Sequence, residues 1–368
     1  MTRKGRLAVF AATSGHSGVD RNLKNLIPVF AARGVAVDLL NVRGHGPLLE
    51  DLPSRVRVID LGASHVNTCF PALVRYLRRE PPPMLLSDKD KVNRLALLAR
   101  RFAGAPTRIA VRLGIHVSTN LAERGWLDRT IQTFSIRRFY PWADVILVPS
   151  RGVADDLAAL GRMPRDKISV VPNPVVTPEL EKLLAQPAAH AWFADPAVPI
   201  VLGVGELGAR KDFETLVRAV ALVRQERRCR LLILGRGKQR DMLVSLGTGL
   251  GYGDDLSLPG FVANPYAYMS RCSVFASSSR FEGFANVVAE ALAVGIPVVA
   301  TDCPSGPREI LENGRHGRLV PVGDPVAMAE AIKATLADPP KRATLQAAAS
   351  RYRVAQVADE YLRALDLG

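Results

Sequence analysis

SSSRFEGFANVVAEALAVGIPVVATDCPSGPREI, residues 277–310, encodes a strand-to-helix-to-strand unit that carries two glutamates. An apolar strand, Val274–Ala276, leads into a turn holding Glu282 and Gly283. Asn286–Val294 has helical spacing and places Glu290 one to two turns in. A second apolar strand, Pro297–Ala300, follows. An acid-bearing loop at the carboxyl end of a strand is where an open α/β sheet receives a small polar ligand. Gly283 lets backbone approach that ligand, and the N–H groups of Phe284, Ala285 and Asn286 at a helix start suit a phosphate. Ionised carboxylates accept hydrogen bonds only, so Glu282 and Glu290 suit sugar hydroxyls. Hydroxyls plus diphosphate describe a nucleotide sugar. The spacing of the two glutamates is weak evidence alone; the flanking strands and the glycine add weight.

Outward from this unit, the same rhythm covers the chain. Strands are expected at Leu7–Ala11, Ala36–Val42, Val56–Leu61, Met84–Ser87, Ile109–Leu113, Val145–Val148 and Ile168–Val171, with helices around Leu23–Phe30 and at Phe70–Arg79, Val92–Phe102 and Val153–Leu160. Pro172–Pro199 holds six prolines and interrupts the pattern. It then restarts with strands at Ile200–Val204 and Arg230–Leu234 and helices at Phe213–Gln225, Lys238–Leu246 and Val326–Ala337. The reading is an α/β protein of two similar domains, each a parallel sheet covered on both faces, with a cleft between them. The expected division is 1–175, 176–345 and a helical segment 346–368 that packs back toward the first domain.

Composition narrows the class. With 368 residues, 48% of them hydrophobic, the chain can fill two cores. Its apolar runs are far shorter than a bilayer span. MTRKGRLAVF reads as the approach to a first core strand and not as a secretory segment. Cys69, Cys229, Cys272 and Cys303 are scattered without metal-ligand spacing, which fits a reduced, cytoplasmic protein. The net charge of +14 is uneven: residues 1–175 hold 27 Lys+Arg against 14 Asp+Glu. Such a field suits anionic lipid headgroups or a phosphorylated acceptor, and it also fits an arginine-rich solvated surface. No nucleic-acid reader motif accompanies it.

Three further clusters sit at strand ends. Gly203–Leu207, GVGEL, is followed by Arg210 and Lys211, which can reach a diphosphate as fork and point charge. An isolated Gly-x-Gly is also a common βα turn with solvated basic residues. Ser14–Gly18, SGHSG, has the look of a phosphate-approach loop but lacks the dinucleotide fingerprint. His116 follows the strand Ile109–Leu113 and would face the cleft, although a lone histidine is more often structural. No cluster implies a bound metal.

The 277–310 stretch closely resembles the signature region of the GT-B glycosyltransferases of family four, the group 1 type with an E-x7-E motif. The resemblance extends over nearly the whole chain. Gly18-Val19-Asp20-Arg21 resembles the family's N-terminal glycine loop, Asn173-Pro174-Val175 its inter-domain signal, and GRLVPVGD (317–324) a further conserved block. The resemblance implies a GT-B fold, two Rossmann-like domains facing each other across a cleft, and retaining glycosyl transfer without metal or cofactor. It implies that Glu290 binds the nucleotide ribose and Glu282 the donor sugar. Phe284, Ala285 and Asn286 would hold diphosphate or sugar, with Gly205 and Arg210 beside them. Lys211 would neutralise the leaving phosphate, His116 would touch the donor sugar, and Gly18 would approach the diphosphate. One position departs from the family: Glu206 stands where arginine is usual, so diphosphate affinity is expected to suffer unless Arg210 substitutes.

The expected function is transfer of a sugar from a UDP-hexose or UDP-N-acetylhexosamine to a lipid-linked or surface-glycan acceptor at an anionic membrane. A GDP-mannose donor is the alternative, as is a weakly active or non-catalytic nucleotide-sugar-binding protein, the latter motivated by Glu206.

Overall fold

The computed structural model describes residues 5–13, 15, 17–49 and 51–368. The chain forms two compact units. The first comprises residues 1–174 and returns for 353–368; the second is Val175–Tyr352.

The first unit holds a seven-stranded sheet in the order β3-β2-β1-β4-β5-β6-β7. Its strands are β1 (Arg6–Ala11), β2 (Ala36–Asn41), β3 (Val56–Asp60), β4 (Met84–Asp88), β5 (Arg108–Arg112), β6 (Val145–Val148) and β7 (Ile168–Val170). Every pairing is parallel. The strand period of two divides β1 between two cores: Leu7, Val9 and Ala11 face one, Ala8 and Phe10 the other. The helix Gly18–Ala32 begins with a capping box, in which Ser17 Oγ accepts from the Asp20 amide and Asp20 accepts from the Ser17 amide. The C-terminal helix Val354–Ala364 belongs to this unit and buries Val357, Ala358, Tyr361 and Leu362 against Phe30 and its neighbours.

Arg112, at the end of β5, ties these pieces together. Its guanidinium donates to Asp88 Oδ2 (2.6 Å), to Tyr361 Oη (2.7 Å) and to Asn173 Oδ1 (2.5 Å). One buried cation thus joins β4, the last residues before the second unit, and the C-terminal helix.

The second unit holds six parallel strands in the order β10-β9-β8-β11-β12-β13. They are β8 (Ile200–Val204), β9 (Arg230–Leu234), β10 (Leu256–Gly260), β11 (Val274–Ser277), β12 (Val298–Thr301) and β13 (Arg318–Val320). Ile200 and Leu202 face one core, Val201 the other.

Several expectations shift. The return to the first unit falls between Tyr352 and Arg353, beyond the expected 345, because the helix Arg342–Ala349 packs Leu345 and Ala349 into the second unit's core. The proline-rich segment that interrupts the pattern packs into the second unit: Val175 and Leu180 join that core, and Asn264 donates to Leu183 O at 2.7 Å. Helix Arg240–Gly249 starts later than the expected Lys238. Among the described residues no helix is long and apolar enough to cross a membrane. All four cysteines are free, and burial pushes the Cys69 and Cys229 thiols up to about 11 and Cys303 up to about 12.

Candidate functional site

In the second sheet the strand order reverses between β8 and β11. The connections after these two paired strands therefore run in opposite directions, and the crevice at their carboxyl ends is where such sheets accept ligands. The loop after β8 carries Gly205, Arg210 and Lys211; the loop after β11 carries Glu282 and the turn into the helix Asn286–Val294. Sequence alone placed both clusters at strand ends; the strand order makes them neighbours.

Glu282 is the hub. Lys211 Nζ donates to its Oε1 at 2.7 Å, Ser279 Oγ to the same oxygen at 2.8 Å, and Arg210 Nη1 to Oε2 at 2.9 Å. Glu282 is 6% exposed and Lys211 9%. Burial pushes the carboxyl up, but the Lys211 and Arg210 cations outweigh it and hold Glu282 below its ordinary range. The side chain is therefore a carboxylate, unsuited to act as a proton donor. Three hydrogen bonds use three of its roughly four acceptor positions. Its effect on the site is to fix two cations at the strand ends.

Hydroxyl groups hold the two loops together. Ser278 Oγ donates to Lys211 O (2.8 Å), Thr301 Oγ1 to Ser279 O (2.5 Å) and Ser305 Oγ to Glu282 O (2.5 Å), while the Arg280 amide donates to Arg210 O (2.8 Å). These residues escaped the sequence reading. The available signal was the hydroxyl-rich ends of both strands within 277–310.

The helix Asn286–Val294 follows this hub, and its N-cap residue, Ala285, offers no polar side chain to the first turn. The left-handed residue of the turn is Ala285, at φ +66°, and not Gly283. A non-glycine residue there costs about 1 kcal/mol, the kind of strain that clusters at ligand sites. Phe284 and Ala285 are buried in the core below, Phe284 edge-on to Tyr352 at 5.3 Å. Glu290 is 1% exposed and accepts from Tyr266 Oη at 3.4 Å. Tyr266 is a second neighbour the sequence did not reveal.

Two glycines let the neighbouring loops, after β9 and β12, approach these two closely. A Cβ on Gly235 would lie 1.7 Å from Gly205 O. Gly306, at φ +94°, would place one 2.6 Å from Phe284 O. Gly306→Ala should cost about 2–3 kcal/mol and displace the Phe284 turn, lowering the melting temperature. A thermal melt within a degree or so of wild type would refute that.

Glu206 is exposed, and Arg210 is the residue that pairs with Glu282. His116 and Gly18 belong to the first unit. His116 precedes the short helix Val117–Ala122, its Nδ1 lying 2.9 Å from Thr119 Oγ1 and 3.6 Å from Asp156 Oδ2. Asp156 in turn accepts from the Val117 and Ser118 amides. Gly18 is the exposed first residue of its helix. Of the Ser14–Gly18 loop, Ser14 and His16 lie outside the described residues. Among the described residues no three His, Cys, Asp or Glu side chains cluster as metal ligands.

Comparison with known proteins gives two family matches: "Glycosyltransferase Family 4" over residues 16–178 and "Glycosyl transferases group 1" over 198–338. The chain is 29% identical over 343 residues to the N-acetylgalactosamine-N,N'-diacetylbacillosaminyl-diphospho-undecaprenol 4-alpha-N-acetylgalactosaminyltransferase of Campylobacter jejuni, covering 90% of each chain. It is 26% identical over 364 residues to the lipopolysaccharide core biosynthesis glycosyltransferase LpsE of Rhizobium meliloti, covering 95% of each. The crystal structure of Anabaena HepE in complex with UDP-glucose shares the fold, with a TM-score of 0.75, 20% identity, and coverage of 98% of this chain and 99% of that one.

Proposed function

The chain belongs to the group 1, family 4 glycosyltransferases of GT-B fold, and from that premise we propose that it is a metal-independent, retaining hexosyltransferase. Its donor is a UDP-hexose or UDP-N-acetylhexosamine, and its acceptor a lipid-linked or growing surface glycan. The observation that carries this reading is the pair of cations, Arg210 and Lys211, fixed on Glu282 at the carboxyl ends of β8 and β11. Placed cations and helix-start amides stabilise charge that develops on a leaving diphosphate, the task a divalent ion performs elsewhere. Glu290 takes the ribose hydroxyls, with Tyr266 fixing its carboxylate. The remaining acceptor position of Glu282 takes a sugar hydroxyl. In the reaction the bond from the anomeric carbon to the β-phosphate oxygen breaks. The acceptor oxygen bonds the same face of that carbon, and its proton passes to the leaving phosphate. The lipid-linked acceptor is supported by the C. jejuni relative, whose name specifies a diphospho-undecaprenol substrate. The strongly basic sequence through residue 175 supports work at an anionic membrane.

Thermal-shift measurement against UDP-glucose, UDP-galactose, their N-acetylamino counterparts and GDP-mannose tests the donor. A ligand that binds the folded state alone raises its melting temperature by mass action. A UDP-sugar should give the largest rise. A rise with GDP-mannose alone would replace the donor, and no rise with any would remove nucleotide-sugar binding, and with it both the catalytic and the non-catalytic reading.

A further inference from the structure

The helix Trp126–Phe139 differs from its neighbours in the first unit. The other long helices there seat an apolar stripe on the sheet. This one buries only Ser135 and Ile136. Its large apolar side chains face water instead: Trp126 is 77% exposed, Leu127 55%, Ile131 51% and Phe134 63%. Leu127, Ile131 and Phe134 stand at i, i+4 and i+7 and form one stripe. Trp126 flanks it, and Arg124, Arg129 and Arg137 line the same shallow groove as Trp126 and Phe134. Arg137 donates to the Leu160 carbonyl, and Arg138 stacks on Trp142 at 4.8 Å, with Arg101 on the same ring at 5.3 Å. Glu123 and Asp128 are the acids of the segment, against Arg124, Arg129, Arg137 and Arg138.

A row of exposed apolar side chains is unfavourable in water and marks a surface meant to be covered. The charge around it selects the cover. Guanidinium groups bind phosphodiesters with paired hydrogen bonds, and tryptophan, aliphatic residues and arginine on one helix match the layered chemistry of a bilayer interface. The excess of positive charge over residues 1–175 adds long-range attraction to an anionic surface. A protein partner would need no such field.

We infer that the helix Trp126–Phe139 is the membrane-docking element of this protein. It lies in the plane of an anionic phospholipid surface, with Trp126, Leu127, Ile131 and Phe134 below the headgroups and the arginines on the phosphates. The inference rests on the proposed membrane-surface reading and assigns it to one helix.

The test is flotation of the full chain with vesicles of phosphatidylcholine alone or mixed with phosphatidylglycerol. Wild type should float only with the anionic vesicles and be released by salt. Trp126→Ser/Ile131→Ser/Phe134→Ser should bind them at least ~10-fold more weakly. Arg75→Ser/Arg79→Ser, at exposed positions of another basic helix, Phe70–Arg79, should keep most of the binding. Circular dichroism checks that each variant folds. If the triple variant floats like wild type, the helix assignment is wrong while the membrane reading survives. If wild type floats with neither vesicle, both fall. If wild type sediments as a dimer that the triple variant loses, the stripe is covered by a second copy and the inference is overturned.

Discussion

Lys211→Ala should lower sugar transfer by about 10²–10³-fold, the loss typical of removing one placed donor from a developing oxyanion. Lys211 is nearly buried, and its Nζ is held at 2.7 Å from Glu282 Oε1. Its ammonium is therefore set in position before the donor arrives, and no reorganisation is needed as the diphosphate leaves. The variant should remain folded, because Arg210 and Ser279 still satisfy Glu282. The loss should fall mainly on kcat, since charge on the leaving phosphate grows in the transition state. Arg210→Ala should lose less, its side chain being 35% exposed and screened by solvent. A Lys211→Ala enzyme within ~3-fold of wild type would remove the lysine from the reaction.

Arg112→Ala should destabilise the first unit by about 3–5 kcal/mol, the usual result of removing one partner of a buried ion pair. The change strands the buried Asp88 carboxyl and leaves the Tyr361 hydroxyl and Asn173 without the guanidinium they face. Burial pushes the Asp88 carboxyl up against the pull of Arg112. Without the arginine it would have to be buried as an acid or ionised alone. The C-terminal helix should loosen first, since Tyr361 is its polar anchor to β5. Urea unfolding with hydrogen exchange on residues 354–364 measures both effects. A loss below ~1 kcal/mol, with protection in that helix unchanged, would show that its apolar face alone holds it.

The sequence carried the central strands of both sheets, because strands buried on both faces are apolar runs whose contrast with the polar loops is strong. It did not carry β10 and β13. Both are edge strands with mixed, partly exposed residues, and β10 contains Pro259. The helix Trp126–Phe139 escaped for the opposite reason: its apolar residues face water, so reading them as a core stripe would have misplaced them. In the site, Glu282, Lys211 and Arg210 were found as separate clusters, but their shared ion pair needs the strand order β8-β11, a long-range property. The glycine of the turn drew attention to Gly283, whereas the left-handed backbone falls at Ala285. Glu206, suspect because of its charge, is exposed, and the cations are held without it.

The central claim is that Arg210 and Lys211, fixed on Glu282, receive the diphosphate of a nucleotide sugar. Calorimetric titration of UDP and of uridine into wild type and into Arg210→Ala/Lys211→Ala tests it most directly. The account predicts that UDP affinity falls at least ~10-fold in the double variant while uridine affinity is unchanged. Equal UDP affinity in the two proteins, or an equal loss for UDP and uridine, would contradict it.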